Sequence, residues 1–288
     1  MPALRTLALL TVLAGALAAP AGAQEKVDRR LPADRDVSLR IFNHAGSVRV
    51  VGWDHDSVAV TGTAAKGQRV MMGGTRQSMK LSPDGGGIDG TAPATLEVHV
   101  PRTARVWVKT ASAPITVEGV RGGLDLYTVD GAIVVGGDPR ELRAESMDGD
   151  VVVTGTPAWA RVKTAAGTAA LRAGGGDVGL TSVSGAVSLA GGPVERARLE
   201  TVTGPITFAA TMVRGGSYDL DSHGGRIDLR LTPKLGLDLE ASTLHGTIDG
   251  PVTEQEKGGD GRRFSLVSGD AGARVAVRTF KGPIHLRR

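Results

Sequence analysis

The sequence predicts an all-β fold, a parallel β-helix-like solenoid with coils of about 18 residues and little or no helix after residue 23. Three observations lead to this prediction. A turn recurs at a fixed spacing, the apolar residues change face at each turn, and no apolar stripe with a 3.6-residue period follows the N-terminal segment. Aromatic residues make up only 3% of the chain, so the interior must be thin and filled by aliphatic side chains.

Each repeat unit is organised about a turn residue, which is position zero of that unit. Successive turn residues from Ala113 to Gly185 are 18 residues apart, and the next three steps are 19, 21 and 21. Position +2 carries an aliphatic residue in every unit, for example Ile133 and Val151. The turn residues are Gly46, Ala113, Gly131, Gly149, Gly167, Gly185, Gly204, Gly225, Gly246 and Gly282.

Position −3 holds a short polar residue in every unit. Because side chains alternate along a strand, positions −7, −5 and −3 share one face, and positions −2, 0, +2 and +4 share the face of opposite parity. A corner between −3 and −2 would point both sets inward. The polar group at −3 would bond the corner's unpaired backbone, and glycine would fit a crowded backbone or one that needs φ > 0. The position −3 residues are Asn43, Thr110, Thr128, Ser146, Thr164, Ser182, Thr201, Ser222, Thr243 and Thr279.

The repeat favours a stack in which like residues lie over like residues. One unit buries too few side chains to offset its own conformational entropy, so neighbouring units must supply the missing contacts and inter-strand hydrogen bonds. A hairpin meander is the alternative, because antiparallel strands alternate as well. It explains the constant period and the change of face less well.

The first 23 residues have the pattern of a secretory signal peptide, with cleavage before Gln24; an uncleaved anchor helix is the alternative. The chain has no cysteine, and no later segment is long and apolar enough to cross a membrane. We therefore expect an exported protein, periplasmic or extracellular, whose residues 24–288 form a single solenoid domain. Loop insertions are expected at about 64–93 and 251–262, where the repeat is interrupted.

The opening segment SVRVVGWDHDSVAVTG (47–62) and units such as TVTGPITF (201–208) and TLHGTIDG (243–250) resemble the bacterial putative-adhesin beta-strand-repeat family, which is related to the head GIN domain group. The resemblance covers essentially all of residues 24–288, although TAAGTAAL (164–171) departs from it by placing Ala169 at the core position. It implies a right-handed parallel β-helix-like solenoid on the cell-envelope side. It implies no catalytic residues.

The motifs for common chemistries are incomplete. GGGIDG (85–90) and GGGDVG (174–179) satisfy G-x-G-x-x-G, but no helix follows either of them, so dinucleotide binding is not expected. Asp89 and Asp177 are too isolated for tandem calcium repeats, and Asp130, Asp148 and Asp150 would at most form a weak cation site.

Nucleophile, metal and nucleic-acid signatures are also missing. The histidines lack metal-ligand spacing; His44, His223 and His245 are expected at corners, bonded to the backbone. No G-x-S-x-G is present, and the basic residues form no clustered stripe with stacking aromatics. The sequence therefore predicts no catalytic residue, no cofactor, no metal and no nucleic-acid partner.

Cleavage of polysaccharides is the enzymatic alternative, and it would need acids that converge on one outer face. The candidates are Asp219 and Asp221, with Asp228 across the corner and Glu200 one unit earlier. At position −4, which Glu200 and Asp221 occupy in their units, positively and negatively charged residues alternate along the stack, which is typical of a solvated face.

A second outer face carries small uncharged residues at position +3: Thr116, Val134, Val152, Ala170, Ser188 and Thr207. This row is a candidate interaction surface, unless a loop such as the 64–90 segment covers it. Trp107 and Tyr127 are expected to point outward on successive coils, where they could stack on a sugar ring. The sequence thus predicts a non-catalytic, adhesin-like or envelope-associated binding protein whose partner is an envelope protein or a glycan, with a carbohydrate-binding or polysaccharide-cleaving protein as the alternative.

Overall fold

The computed structural model describes residues 24–85, 92–250, 256–258 and 261–287. These residues form 25 strands and no helix, and the strands are joined in one continuous mixed sheet. The predicted signal peptide and Asp89 lie outside the described residues. No helix in the described part is long and apolar enough to span a membrane.

Most strands belong to two parallel ladders, one on each side of the repeated turn. The first ladder contains the strands that precede the turn. In spatial order they are β6 (Ser78–Gly85), β2 (Ser38–Asn43), β8 (Arg105–Thr110), β10 (Gly123–Thr128), β12 (Glu141–Ser146), β14 (Trp159–Thr164), β16 (Gly175–Ser182), β17 (Val187–Thr201), β18 (Ile206–Ser222), β24 (Ala273–Thr279) and β20 (Leu237–Thr243).

The second ladder contains the strands that follow the turn. Strands β17 and β18 are long enough to belong to both ladders. The remaining strands of the second ladder, in spatial order, are β7 (Pro93–Pro101), β3 (Ala45–Trp53), β9 (Ile115–Glu118), β11 (Ile133–Gly136), β13 (Val151–Thr154), β15 (Ala169–Arg172) and, beyond β17 and β18, β19 (Ile227–Arg230), β25 (Ile284–Arg287) and β21 (Ile248–Asp249).

Like residues lie over like residues in the central rungs. Thr128 pairs with Ser146, and Ser146 pairs with Thr164. The inward rows are aliphatic and fully buried, as at Leu126, Ala144 and Val162. The central part of the sheet therefore has the parallel, in-register arrangement that the repeat predicts, and a hairpin meander does not describe it.

Antiparallel strands extend the sheet at its N-terminal end. They are β1 (Glu25–Pro32), β4 (Ser57–Ala64) and β5 (Gln68–Gly74). β4 lies between β1 and β7, and β5 pairs with β6. The segment 64–93, expected as a loop insertion, therefore contains β5 and β6, and β6 continues the first ladder beyond β2.

The C-terminal end is built in the same way, with one change of order. Strands β24 and β25, which come last in the chain, lie between β18–β19 and β20–β21, so the final unit is inserted into the stack. Two antiparallel strands, β22 (Glu256–Gly258) and β23 (Gly261–Ser268), follow β20 at the edge. The described residues of the second expected insertion thus belong to strands.

The turn is held by the side chain at position −3. All ten of these side chains are buried, and in seven units the backbone N–H at position 0 donates to the hydroxyl, for example Gly149 N to Ser146 Oγ at 2.9 Å. Ser146 Oγ in turn donates to the carbonyl of Gly131 one rung away, at 3.1 Å. In two of the remaining units, the hydroxyls of Thr110 and Thr164 donate to a carbonyl at position 0 instead.

Close packing explains the turn glycines. A Cβ on Gly149 would collide with the carbonyl oxygen of Gly131, and the same contact recurs from rung to rung. Among the turn glycines only Gly46, near the N-terminal end, has a left-handed φ, of +98°. Crowding of the backbone, rather than a need for positive φ, therefore selects glycine in the central units.

Position −2 does not point inward, contrary to the parity rule. Its residues form an exposed apolar row that includes Val129, Met147, Val183 and Val202, with 45–56% of each residue exposed. At least two residues of the turn lie between −3 and the next buried position in the central units, so the change of face is spread over the turn instead of occurring between −3 and −2.

The structure thus confirms the all-β part of the prediction for the described residues. A solenoid made only of parallel coils is not confirmed, because the sheet is mixed and its ends are antiparallel.

Candidate functional site

An open cleft of about 870 Å³ lies on the outer face of the first ladder, toward its N-terminal end. Alternate residues of β2, β8, β10, β12 and β14 point outward there, because their partners in the alternation fill the interior. The residues that line the cleft include Arg40, Phe42, Arg105, Trp107, Gly123, Asp125, Glu141, Arg143 and Trp159.

Three aromatic rings form a continuous platform beside the cleft. The ring centroids of Phe42 and Trp107 are 4.9 Å apart, and those of Trp107 and Tyr127 are 6.0 Å apart. The rings come from three successive rungs, β2, β8 and β10, and all three residues are half-buried. Stacked strands thus place on one surface rings that are far apart in the sequence.

Trp159 stands on the far side of the cleft, between two arginines. The guanidinium carbons of Arg161 and Arg143 lie 4.7 and 5.7 Å from its ring centroid. β8 and β14 are separated by three ladder spacings, which places Trp107 and Trp159 on rungs roughly 14 Å apart. The cleft therefore has aromatic side chains at both ends.

Glycine keeps the floor of the cleft open. Gly123 stands at an outward position between Arg105 and Glu141, its neighbours on adjacent rungs. A Cβ added there would meet only the Cγ of Arg105, at 3.7 Å, which is an ordinary contact. The fold itself does not require glycine at this position, and a larger side chain would occupy the cleft.

The charged groups between Trp107 and Trp159 are paired. Arg143 lies 3.5 Å from Asp125, and Arg161 lies 2.8 Å from Asp177. Although partial burial acts to raise the pKa of Asp177, its ion pairs with Arg161 and Arg196 are stronger and lower that pKa on balance. Asp177 accepts a hydrogen bond from Arg196, and both acids have the environment of surface ion pairs.

Of the residues predicted from the sequence, Trp107 and Tyr127 lie side by side on the platform. The position +3 row also forms a surface: Thr116, Val134, Val152, Ala170, Ser188 and Thr207 are register partners on the outer face of the second ladder. Val134 is 44% exposed, and the described part of the 64–90 segment pairs at the end of the sheet instead of lying over this row. The two candidate surfaces are therefore on different ladders.

The acids considered for polysaccharide cleavage do not all come together. Glu200 and Asp221 are register partners on the first ladder, as are Arg198 and Asp219. The hydrogen bond to Glu200, with the fields of Asp219 and Asp221, raises the pKa of the Arg198 guanidinium, so this arginine compensates the cluster. Asp228 lies on the second ladder, 2.8 Å from Arg226.

The other polar candidates have structural surroundings. The rings of His223 and His245 lie against Phe280, with centroids 4.9 and 5.2 Å away, instead of bonding the backbone as expected. Asp150 accepts a hydrogen bond from the backbone of Thr168 on the next rung. Within the described residues, no group of three His, Asp or Glu side chains is placed to hold a metal ion.

Sequence reasoning missed Phe42, Trp159 and the arginines of the cleft. Phe42, Trp107 and Trp159 occupy positions −4, −6 and −8 of their units, so no single column of the repeat shows them together. The signal was their shared parity, since all three positions point outward. A comparison of the outward residues at different positions of neighbouring units, as well as at the same position, would have identified the platform.

No family model matches the chain, and no curated protein sequence matches it, so membership of the family it resembles is not confirmed. Solved structures that resemble it include a putative cell adhesion protein from Clostridium sporogenes, with 8% identity over 91% of this chain and 99% of that chain at a TM-score of 0.27. A putative lipid binding protein from Parabacteroides distasonis has 11% identity over 93% and 98% of the two chains, with a TM-score of 0.39. A putative adhesin from Parabacteroides merdae has 10% identity over 92% and 97%, with a TM-score of 0.40. With TM-scores this low, conclusions about this chain rest on its own residues.

Proposed function

We propose that this chain is an exported, non-catalytic binding protein, and that its ligand is a glycan bound in the cleft of the first ladder. In this proposal residues 24–288 form one right-handed β-solenoid with antiparallel ends, and the N-terminal segment directs export. The solenoid is a rigid support, and the outward side chains of β2 to β14 supply the recognition.

The platform of Phe42, Trp107 and Tyr127 is the observation that carries the proposal. A contiguous aromatic surface that is partly exposed is costly for an isolated protein, and this chain has few aromatic residues with which to build one. A pyranose ring presents an apolar C–H face to an aromatic ring and hydroxyl groups to polar neighbours. The cleft offers both, because paired carboxylates and guanidiniums lie between the platform and Trp159.

A glycan array tests the proposal with the full exported chain. Wild-type protein is expected to bind a defined set of oligosaccharides, and Trp107→Ala should reduce that binding at least tenfold. Phe280→Ala is the matched control, because Phe280 is an exposed ring at the C-terminal end of the stack, far from the cleft. Absence of binding by wild type, or equal binding by both variants, would refute the proposal.

A steric block gives an independent test. Gly123→Leu should fill the cleft without disturbing the fold, and binding should be lost while the melting temperature stays unchanged. Gly136→Leu is its control, since Gly136 lies on the outer face of the second ladder and an added Cβ there would meet its neighbours only at 3.9 Å, an ordinary contact. Binding that survives Gly123→Leu would place the ligand elsewhere.

A protein partner at the position +3 row is the second candidate, favoured by the exposure of Val134 in a flat uncharged surface. In this case Val134→Lys would weaken capture of a cell-envelope protein, whereas Trp107→Ala would not. The two variants therefore separate the two surfaces.

A further inference from the structure

The two halves of the cleft differ in charge balance. Between Trp107 and Trp159 the carboxylates and guanidiniums are paired: Asp125, the register partner of Trp107 on β10, with Arg143, and Asp177 with Arg161. In the half near Trp107, Arg40 and Arg105 form no ion pair with any carboxylate in the described parts of the chain. Only this half has positive charge without a protein counterion.

The unpaired arginines are placed around one ring. Arg40 is the register partner of Trp107 on the adjacent rung, and Arg105 precedes Trp107 by two residues on the same outer face of β8. Both line the cleft. A ligand ring stacked on Trp107 would therefore have a guanidinium beside it in two directions.

Two lysines add to this field. Lys80 lies with its Nζ 5.1 Å from the ring centroid of Phe42 and is the register partner of Arg40. Lys109 follows Trp107 by two residues and is the register partner of Phe42. Four cations thus lie around the Phe42–Trp107 part of the platform, whereas Asp125, the register partner of Trp107 on β10, is paired with Arg143.

From this arrangement we infer that the glycan is acidic, with a carboxylate or sulfate group accepted by Arg40 and Arg105 while its sugar ring stacks on Trp107. The inference rests on the proposed function and adds the class of ligand. Planar guanidiniums donate paired N–H bonds to such anions, and an anionic group would supply the counterion that the protein does not. The acidic group lies toward the N-terminal end of the cleft, and the glycan chain extends toward Trp159.

The inference is tested by calorimetry with three oligosaccharide probes: an oligogalacturonate, its fully methyl-esterified form, and a carrageenan hexasaccharide, which carries sulfate esters and no carboxylate. The esterified probe keeps the shape of the first and loses its charge. Wild type is expected to bind at least one anionic probe at least tenfold more tightly than the esterified one. The carboxylated and sulfated probes show which anion is preferred. Because the arginines are partly exposed, this preference should decrease with added salt.

The matched variants are Arg40→Gln, Arg105→Gln and, as a control, Arg274→Gln, which lies on the outer face of β24 at the other end of the same ladder. Each cleft variant should weaken the anionic probe at least tenfold and leave the esterified probe unchanged. Arg274→Gln should change neither.

The two proposals fail in different ways. If esterified and acidic probes bind equally and Trp107→Ala weakens both, the glycan site stands and its preference for acids is refuted. If anionic probes bind but are insensitive to Trp107→Ala and to both arginine variants, the cleft is not the site and both proposals are refuted. Failure of all three probes to bind refutes the acidic inference, and the glycan array then decides the proposed function independently.

Discussion

The central rungs and the two ends of this sheet follow different rules. Between β8 and β18 the strands are parallel and in chain order, in register apart from two shifts between Gly191 and Arg196 of β17, and most turns repeat the same contacts. At both ends the chain adds antiparallel strands and leaves sequence order, so that β6 and β7 lie outside β2 and β3, and β24 and β25 lie inside β20 and β21. The centre is specified by repetition, and the ends are specified by the need to finish the stack.

The difference has a physical cause. A parallel ladder leaves unpaired N–H and C=O groups on its last strand, where another chain could pair. Antiparallel partners for β6, β7 and β20 satisfy those groups within the same molecule. The outermost strand β1 is rich in exposed charged residues, which also discourages pairing with another chain.

The largest expected difference between the centre and the ends is the loss of stability caused by one added methyl group. Gly149→Ala should lower the free energy of unfolding by about 3 kcal/mol, because the new Cβ meets a rigid carbonyl of the neighbouring rung. Gly73→Ala, on the terminal strand β5 with open space around it, should change it by less than about 0.5 kcal/mol. Urea denaturation measures both. Equal effects would remove the distinction between centre and end.

A smaller effect is expected in the polar column. The Thr164 hydroxyl donates to the carbonyl of Gly167 at 2.5 Å and lies 3.0 Å from Ser182 Oγ on the next rung. Thr164→Val keeps the shape and removes both contacts, and the Gly167 carbonyl keeps only the longer bond from Ser182 Oγ at 3.3 Å, so we expect a loss of about 1 kcal/mol. Thr116→Val makes the same change on an outer face and serves as the control. A Thr164→Val protein that melts like wild type would show that the column does not stabilise the turn.

The smallest effect concerns acid stability. Asp177 on β16 bridges Arg161 of β14 and Arg196 of β17, and its pKa is lowered from the ordinary value of 3.8. A carboxyl with a lowered folded pKa contributes stability above its unfolded pKa, and that contribution is lost as the pH falls through the folded value. Asp177→Asn should therefore reduce stability near neutral pH and flatten its decline below about pH 4. Asp130→Asn, on an exposed turn, is the control; an unchanged acid limb in Asp177→Asn would contradict the bridge.

The centre could be predicted from the sequence because one local solution is repeated. Thr128, Ser146 and Thr164 mark the same position in successive units, so the register follows from the period alone. The ends could not be predicted in this way. The order of β20 and β24 depends on which strand fits better beside β18, and no local sequence pattern indicates which one does. The exposed row of Val129 and Met147 was missed because parity alone does not describe a turn that spans several residues.

The site was predictable only in part for a related reason. Trp107 and Tyr127 occupy successive units and could be placed on one face by alternation. Phe42 and Trp159 join them through the stack, across 117 residues (159 − 42) of chain. The repeat gives the register in which the units stack. Predicting contacts of this kind also requires a comparison of different outward positions in neighbouring units.

Distances between spin labels test the order of the stack most directly, and the absence of native cysteine makes the labelling clean. Thr116, His285 and Asp249 lie in one outward row, with Asp249 one rung beyond His285. Double electron–electron resonance on the pairs Thr116→Cys with His285→Cys and Thr116→Cys with Asp249→Cys should give single narrow distances, the second longer by about 5 Å. A shorter distance to position 249 than to position 285 would mean that the units stack in chain order, and broad distributions would mean that they do not stack in register at all.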